Sequence, residues 1–504
     1  MTGTGDGAPA GRRLPTTYRW YALGLLAFIN LLNYLDRNVI FALFEPIKRD
    51  LALTDTQLGW LGSAYILVFS VAALPFGVIS DLRSRRAVIA AGVAVWSAFT
   101  VLGGVVRNFG QLFTCRAAVG IGEAAFGPAA ASLVADYFPG KARAAAMGIL
   151  SSGIALGGVL GIGLGGVLEK HYGWRVAFLV VGVPGFLCAM AAARMVDPTR
   201  RPSAVTLRAY LAGLEGGLAA LRRQFVWTLV GAAAGLGAAI GLGQVYGADS
   251  KLDIAVFGAA VGLGLAGDIL RWVRLIRRGH AAATPLGGEM GTALEDIGRA
   301  VSRVLGTPTL VYVFVAGAMI SFGMNGIVGW GPTFIARELG LTSSQAATLL
   351  GKWGLVAGTA GTLFGGALAD WLRRYTDRGR VITVALGLLI GAPAAIWLLT
   401  VRDQAVFIPV FFGAFFFLSW YSGPLTALIF DVAPARVGAT VAGAYLLFIH
   451  LAGDAIAFPL VGALSDRFGI DRAVFVLPSV ALLGGLVILG AMRTVGSDMM
   501  RVAE

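Results

Sequence analysis

Fourteen apolar stretches, each about as long as a helix that crosses a bilayer, follow one another along this chain of 504 residues. They fall at 20–43, 57–80, 87–106, 110–135, 143–168, 174–195, 226–247, 254–275, 309–335, 344–369, 381–401, 405–432, 437–463 and 473–493. The hydrocarbon core of a bilayer takes about 20 residues of helix to cross. Every backbone N–H and C=O inside it must be paired internally, so a series of such stretches can only be a bundle of helices. The composition agrees. Charged residues make up 13%, about half the roughly 25% of a soluble domain, and mean hydropathy is +0.79. Glycine is abundant, at 72 residues, and small residues let apolar helices approach closely.

With the N-terminus placed inside, the loops on that side hold 27 Lys and Arg, the loops on the other side hold 10, and Arg37, Arg116 and Lys352 lie within spans. Such a bias orients membrane proteins. It predicts a multi-pass protein of a bacterial-type cytoplasmic (inner) membrane with both tails, 1–18 and 496–504, in the cytoplasm. The net charge of +13 is thus a topology signal, and no nucleic-acid partner is implied. Residues 1–18 show no cleavable signal, so the first stretch is read as a true span. Cys115 and Cys188 sit in apolar stretches and suggest neither a metal site nor a disulfide framework. No cofactor, metal or nucleotide-binding domain is expected. His171, His280 and His450 are scattered, with no nucleophile and base beside them, which argues against an enzyme.

The chain repeats itself. Gly127-Pro128 is followed by Asp136, Pro139 and Arg143, and Gly423-Pro424 is followed by Asp431, Pro434 and Arg436. Gly77-x-x-x-Asp81 with Arg85-Arg86 is echoed by Gly366-x-x-x-Asp370 with Arg373-Arg374. Parallel repeats about an axis along the membrane normal are a transporter architecture. The expected organisation is an all-α membrane protein of two six-helix bundles, 19–200 and 309–495, with pseudo-two-fold symmetry. Between them lies a basic linker, 201–308, that carries an inserted hairpin at 226–247 and 254–275. The Arg-rich flanks of that hairpin suit the inner leaflet.

Four ionisable residues lie inside apolar stretches: Asp36 and Arg37 in the first, Arg116 and Glu123 in the fourth. A charge at bilayer depth costs roughly 2.5–3.5 kcal/mol on insertion scales, so such residues pair or line a polar path. Asp36 is seventeen residues beyond Arg19, about 25 Å along a helix. Arg116 and Glu123 are seven apart, which puts them on one face. We expect all four to converge on a central chamber. There Asp36 and Glu123 would be proton sites. Arg37 and Arg116 would be charge partners, fit to meet an anionic head group through a planar fork. A static ion-pair network is the alternative.

His450 and Asp454, four apart, share a helix face. They are either a titrating pair or a hydrogen-bonded core pair. Lys352, beside Trp353, either snorkels or faces the chamber. Asn325 and Tyr421 offer polar contacts to substrate or between helices. Phe28, Phe41, Phe126 and Phe448 are candidates to line an acyl-chain path. The glycines from Gly153 to Gly166 suggest a close-packing surface.

The run from Gly77 to Arg86 resembles the signature loop of major facilitator superfamily transporters. That resemblance implies a gating cluster of Gly77, Asp81, Arg85 and Arg86 on the inner side, with Asp370 and Arg373 as its weaker second copy. Residues Asn33-Tyr34-Leu35-Asp36-Arg37, Glu45-Pro46-Ile47-Lys48 and Thr54-Asp55-Thr56-Gln57-Leu58-Gly59 resemble the spinster-like branch of that superfamily. So do His450 to Asp454 and Gly462 to Gly469. The branch implies a proton-coupled secondary carrier of an anionic amphiphile, such as a lysophospholipid or sphingolipid-like molecule; the two-fold repeat suggests alternating access, and a monomer among membrane lipids is expected. A proton-coupled organic-anion symporter or a drug exporter of the same superfamily is the alternative.

Overall fold

The computed structural model describes residues 14–198 and 306–503, less 83, 140–141 and 435–437, with 267 and 304 as isolated positions. The expected linker and hairpin, 226–247 and 254–275 included, lie outside the described residues, as does most of the N-terminal tail.

The described residues are helical. The first half runs α1 (Thr16–Ala42), α2 (Phe44–Leu51), α3 (Asp55–Leu82), α4 (Arg85–Gly103), α5 (Phe109–Ala124), α6 (Phe126–Tyr137), α7 (Ala142–Tyr172) and α8 (Trp174–Ala193). The second runs α9 (Pro308–Glu338), α10 (Ser343–Arg373), α11 (Gly379–Leu398), α12 (Gln404–Leu418), α13 (Ser422–Val432), α14 (Gly438–Ile449), α15 (Ala455–Phe468), α16 (Ile470–Ala473), α17 (Val476–Leu489) and α18 (Val495–Ala503). Together they supply 12 candidate membrane spans among the described residues. Each falls within a few residues of its hydropathy stretch. The short α2, polar and amphipathic, was not anticipated.

Three spans are broken in mid-course. Pro128 has no N–H to offer the Ala124 carbonyl, and a proline inside a helix also crowds the carbonyl four residues back. The fourth span accordingly divides at Ala125, between α5 and α6. Pro424 bears the same relation to Trp420, and the tenth span tightens into a 3₁₀ turn over Ser419–Tyr421 before α13. The repeated Gly-Pro is therefore a repeated hinge in the backbone. In the eleventh span the break is a π turn over His450–Asp454, a feature often found at functional sites.

Glycine lets α7 pack closely on α1. Gly153, Gly157 and Gly161 of α7 lie against the α1 backbone. A methyl group on Gly157 would stand 2.5 Å from the Leu31 carbonyl oxygen, and one on Gly161 would stand 2.5 Å from that of Leu35.

The ends of the bundle are distinguished here as the terminal face, where α1 begins, and the far face, where it ends. The two halves meet toward the far face. Phe41 stacks on Phe458 at 5.1 Å, Phe44 tilts on Trp330 at 5.3 Å, and Ser63 Oγ donates to the Ala455 carbonyl at 2.8 Å. Phe41 thus belongs to the junction between halves. Phe126 packs against Trp96 in the first-half core. Neither lines an acyl-chain path as expected. Phe28 and Phe448 are exposed.

Candidate functional site

Adjacent residues on a helix point about 100° apart, so Asp36 and Arg37 of α1 reach different neighbours. The Asp36 carboxylate accepts from Arg116 Nη1 at 3.0 Å and from the Thr100 hydroxyl of α4. Arg37 Nε donates to Glu123 Oε2 at 2.5 Å. Its guanidinium lies 4.7 Å from the Tyr34 ring centre and 4.5 Å from that of Phe69. Tyr65 of α3 is 5.5 Å from both Arg37 and Arg116. Asp36 with Arg116 and Arg37 with Glu123 form two crossed ion pairs. Asp36, Arg116 and Glu123 are each 1% exposed and Arg37 9%.

The two pairs sum to zero charge, yet their hydrogen-bonding capacity is not filled. Among the described residues, Arg116 Nε and Nη2, Glu123 Oε1 and Asn33 Nδ2 are buried without a partner. A buried donor left unpaired costs about 1–3 kcal/mol, more when charged. Glu123 sits two residues before the break at Ala125.

A second cluster belongs to the other half. Asp454, 2% exposed, accepts from Asn325 Nδ2 at 3.0 Å and from the Ser321 hydroxyl, and it meets His450 Nδ1 at 2.7 Å. Gly453 lets the π turn lie directly on α9, where a side chain would meet the Ala318 carbonyl. Tyr65, which meets Arg37 and Arg116, belongs to α3, and α3 also packs on the π turn of the other half. Lys352 does not join them. It lines a groove between α10 and α12.

At the far face a network spans the two halves. Arg337, at the end of α9, donates to Glu45 at 2.7 Å and holds both oxygens of Asp55 at 2.7 and 2.8 Å. Lys48 and Ser465 each donate to Asp55 at 2.6 Å. Asp466 accepts the backbone N–H groups of Asp55 and Thr56 at 2.9 Å each, at the start of α3. A carboxylate there answers both the unpaired donors and the positive end of the helix dipole. Beside this network Asp50 accepts from Arg175 and from Trp174 Nε1. The Arg175 hydrogen bond holds the Asp50 carboxyl below the usual carboxylate range. Sequence reasoning missed this latch. Its members stood in the quoted motifs or among the loop charges, which were read as topology signals.

At the terminal face each half has its own cluster. Arg85, opening α4, donates to Asp136 at 2.6 Å and to Asp197 at 2.5 Å, and Arg86 donates to the Met195 carbonyl at 3.0 Å. In the second half Arg380, opening α11, pairs with Asp431, to which Arg373 also donates at 3.3 Å. Asp136 and Asp431 are therefore matched, as their motif spacing implied. The structural counterpart of Arg85 is Arg380, since Arg373 closes α10 where Arg85 opens α4. Asp370 lies 3.8 Å from Arg380 and is largely exposed. Gly77 and Asp81 fall in the last turns of α3, where only the backbone is described.

The sequence matches the Major Facilitator Superfamily over residues 26–244 and 218–453. The chain belongs to the Major Facilitator Superfamily. It is similar to an MFS-type efflux pump of Mycolicibacterium smegmatis, 26% identical over 479 residues that cover 95% of this chain and 91% of the relative. It is also similar to the sphingosine-1-phosphate transporter SPNS2 of Xenopus tropicalis, 23% identical across 93% of this facilitator and 80% of the relative. A solved bacterial homolog of the human lysosomal transporter Spinster, inward-facing and unoccupied, shares the fold with a TM-score of 0.72 at 22% identity, over 96% of this chain and 99% of that one. The facilitator is thus a membrane transporter and not an enzyme. Its likeness to the spinster-like branch extends well beyond the motifs in which it was first read.

Proposed function

We propose that this facilitator is a proton-coupled secondary carrier of an anionic amphiphile, such as a lysophospholipid or sphingolipid-like molecule, and that it works by alternating access. The observation that carries the proposal is Arg116, buried with two nitrogens unpartnered beside an acid pair that also has a spare oxygen. A proton arriving at Glu123 or Asp36 removes a negative charge from a cluster that otherwise sums to zero. The guanidinium left behind then attracts an anion. Proton and head group favour each other's binding, and that coupling is reciprocal. The His450–Asp454 pair of the other half offers a second place for a proton.

The arrangement with the far-face latch engaged is one stage of the cycle. The other stage requires Arg337 to release Asp55 and Glu45 while the terminal face closes. With the basic loops inside, the terminal face is cytoplasmic and the protein sits in a bacterial-type inner membrane.

Reconstitution into lipid vesicles with an imposed pH gradient tests the proposal, with a radiolabelled lysophosphatidylglycerol as probe. Uptake should follow the gradient and be lost in Asp36→Asn and Glu123→Gln. Gradient-insensitive uptake with both variants fully active overturns it. The efflux pump among the relatives is the ground for a second reading, drug export. In that case an uncharged drug should compete with the lysolipid, and Arg116→Gln should leave drug transport intact.

A further inference from the structure

Lys352 stands apart from every cluster above. It is nine residues past Ser343, where α10 begins, which is about 13 Å along the helix axis from its far end. Among the described residues no carboxylate lies within ion-pair distance of it, and its ammonium group sits 5.1 Å over the Trp353 ring. A lone cation at that depth is costly to keep. The groove around it has a volume of about 340 Å³ and is lined by Ser344, Gln345, Thr348, Trp353 and Gln404. Gln345 uses its carbonyl oxygen in the cap on Thr342, which leaves its NH₂ group as a donor.

Among the exposed positions of α10, 345, 348, 352, 356, 359 and 363 follow the spacing of one helix face. That stripe changes character along its length. It is polar near the far face, through Gln345, Thr348 and Lys352, and mainly apolar below, where Val356 is 49% and Leu363 70% exposed with Thr359 between them. Polar above and apolar below is the profile of a single lipid of the far leaflet, seen from its binding surface.

We propose that the groove between α10 and α12 holds the head group of an anionic membrane lipid, with Lys352 as its counter-charge and its acyl chain along Val356 and Leu363. The ordinary contribution of one lysine to binding an anionic head group, about 1 kcal/mol, corresponds to about fivefold in affinity. The site shares only a chemical class with the proposed transport substrate and does not depend on the Asp36–Arg116 cluster.

Native mass spectrometry of the full-length protein in detergent tests this, with phosphatidylglycerol, phosphatidylcholine and inorganic phosphate as probes. Wild type should retain about fivefold more phosphatidylglycerol than phosphatidylcholine. Lys352→Ala should lose that preference with its melting temperature unchanged, while Lys352→Arg should keep it. Asp36→Asn should also keep it, which separates this site from the transport site. The proposal is overturned by equal retention of the two lipids, by an undiminished preference in Lys352→Ala, or by full displacement of phosphatidylglycerol by equimolar inorganic phosphate.

Discussion

Asp36 and Arg116 hold each other at a depth where neither could remain alone. Both are 1% exposed, and they lie 3.0 Å apart. Such a pair is weak evidence for stability, because desolvation offsets much of its attraction; removing one partner, however, leaves a buried charge and costs roughly 3–5 kcal/mol. Asp36→Asn is therefore expected to lower the thermal midpoint in scanning fluorimetry. The double variant Asp36→Asn/Arg116→Met, which removes both charges at similar volume, should recover most of that loss yet remain unable to transport. A double variant as unstable as the single one would show that Arg116 is held by more than its charge partner. The sequence made the presence of these four residues legible, since charges in apolar runs are rare. The crossed pairing was not legible, because it depends on how α1 and α5 are rotated against each other. Thr100 was missed for the same reason. A lone threonine in a span is ordinary until the structure shows which way it faces.

At the scale of the helix, the two devices that shape the bundle are backbone contact and backbone interruption. Gly157 sits where any side chain would strike the α1 main chain, which cannot move aside as a flexible side chain would. Overpacking commonly costs about 1–3 kcal/mol, and Gly157→Val should reach or exceed the upper end. The checks are a lower melting temperature and early elution of aggregate on size exclusion. The Gly-Pro hinges work in the opposite sense. Pro128→Ala restores an N–H that can reach the Ala124 carbonyl, so the fourth span should straighten. The expected result is equal or higher thermal stability, by about 1 kcal/mol for the added hydrogen bond, with slower turnover in the vesicle assay. Unchanged turnover would mean that the break beside Glu123 is not used during transport. The spans were readable because length and hydropathy alone decide them. The breaks were present in the sequence as Gly127-Pro128 and Gly423-Pro424, whose spacing revealed the repeat before their mechanical meaning was visible. The helix α2 escaped because a polar eight-residue segment carries no membrane signal.

Across the whole molecule, the latch at the far face joins residues 282 positions apart in the chain, Asp55 and Arg337. No local pattern announces such a pair, and its charges look like ordinary loop residues until the fold brings them together. The arrangement argues for a two-state device. Arg337 reaches two acids of the first half, and Asp466 of the second half caps the first turn of α3, so separating the halves here breaks all of these contacts together. Hydrogen bonds to charged groups contribute about 1.5–3 kcal/mol each, and partial exposure of Arg337 places these at the low end. Their combined loss still exceeds the roughly 2.7 kcal/mol that brings a 1:99 minority state to equal population. Arg337→Ala is accordingly expected to shift the resting protein toward the state open at the far face. Spin labels on Arg49→Cys and Thr342→Cys, both exposed and on opposite halves, read this as a longer distance in double electron–electron resonance. Glu45→Gln, which removes one acid and leaves Asp55 to hold Arg337, should give a smaller shift in the same direction. If Arg337→Ala leaves the distance distribution unchanged, the halves are held together by the apolar junction of Phe41, Phe44, Trp330 and Phe458, and the charges above it only trim a closure that packing has already made.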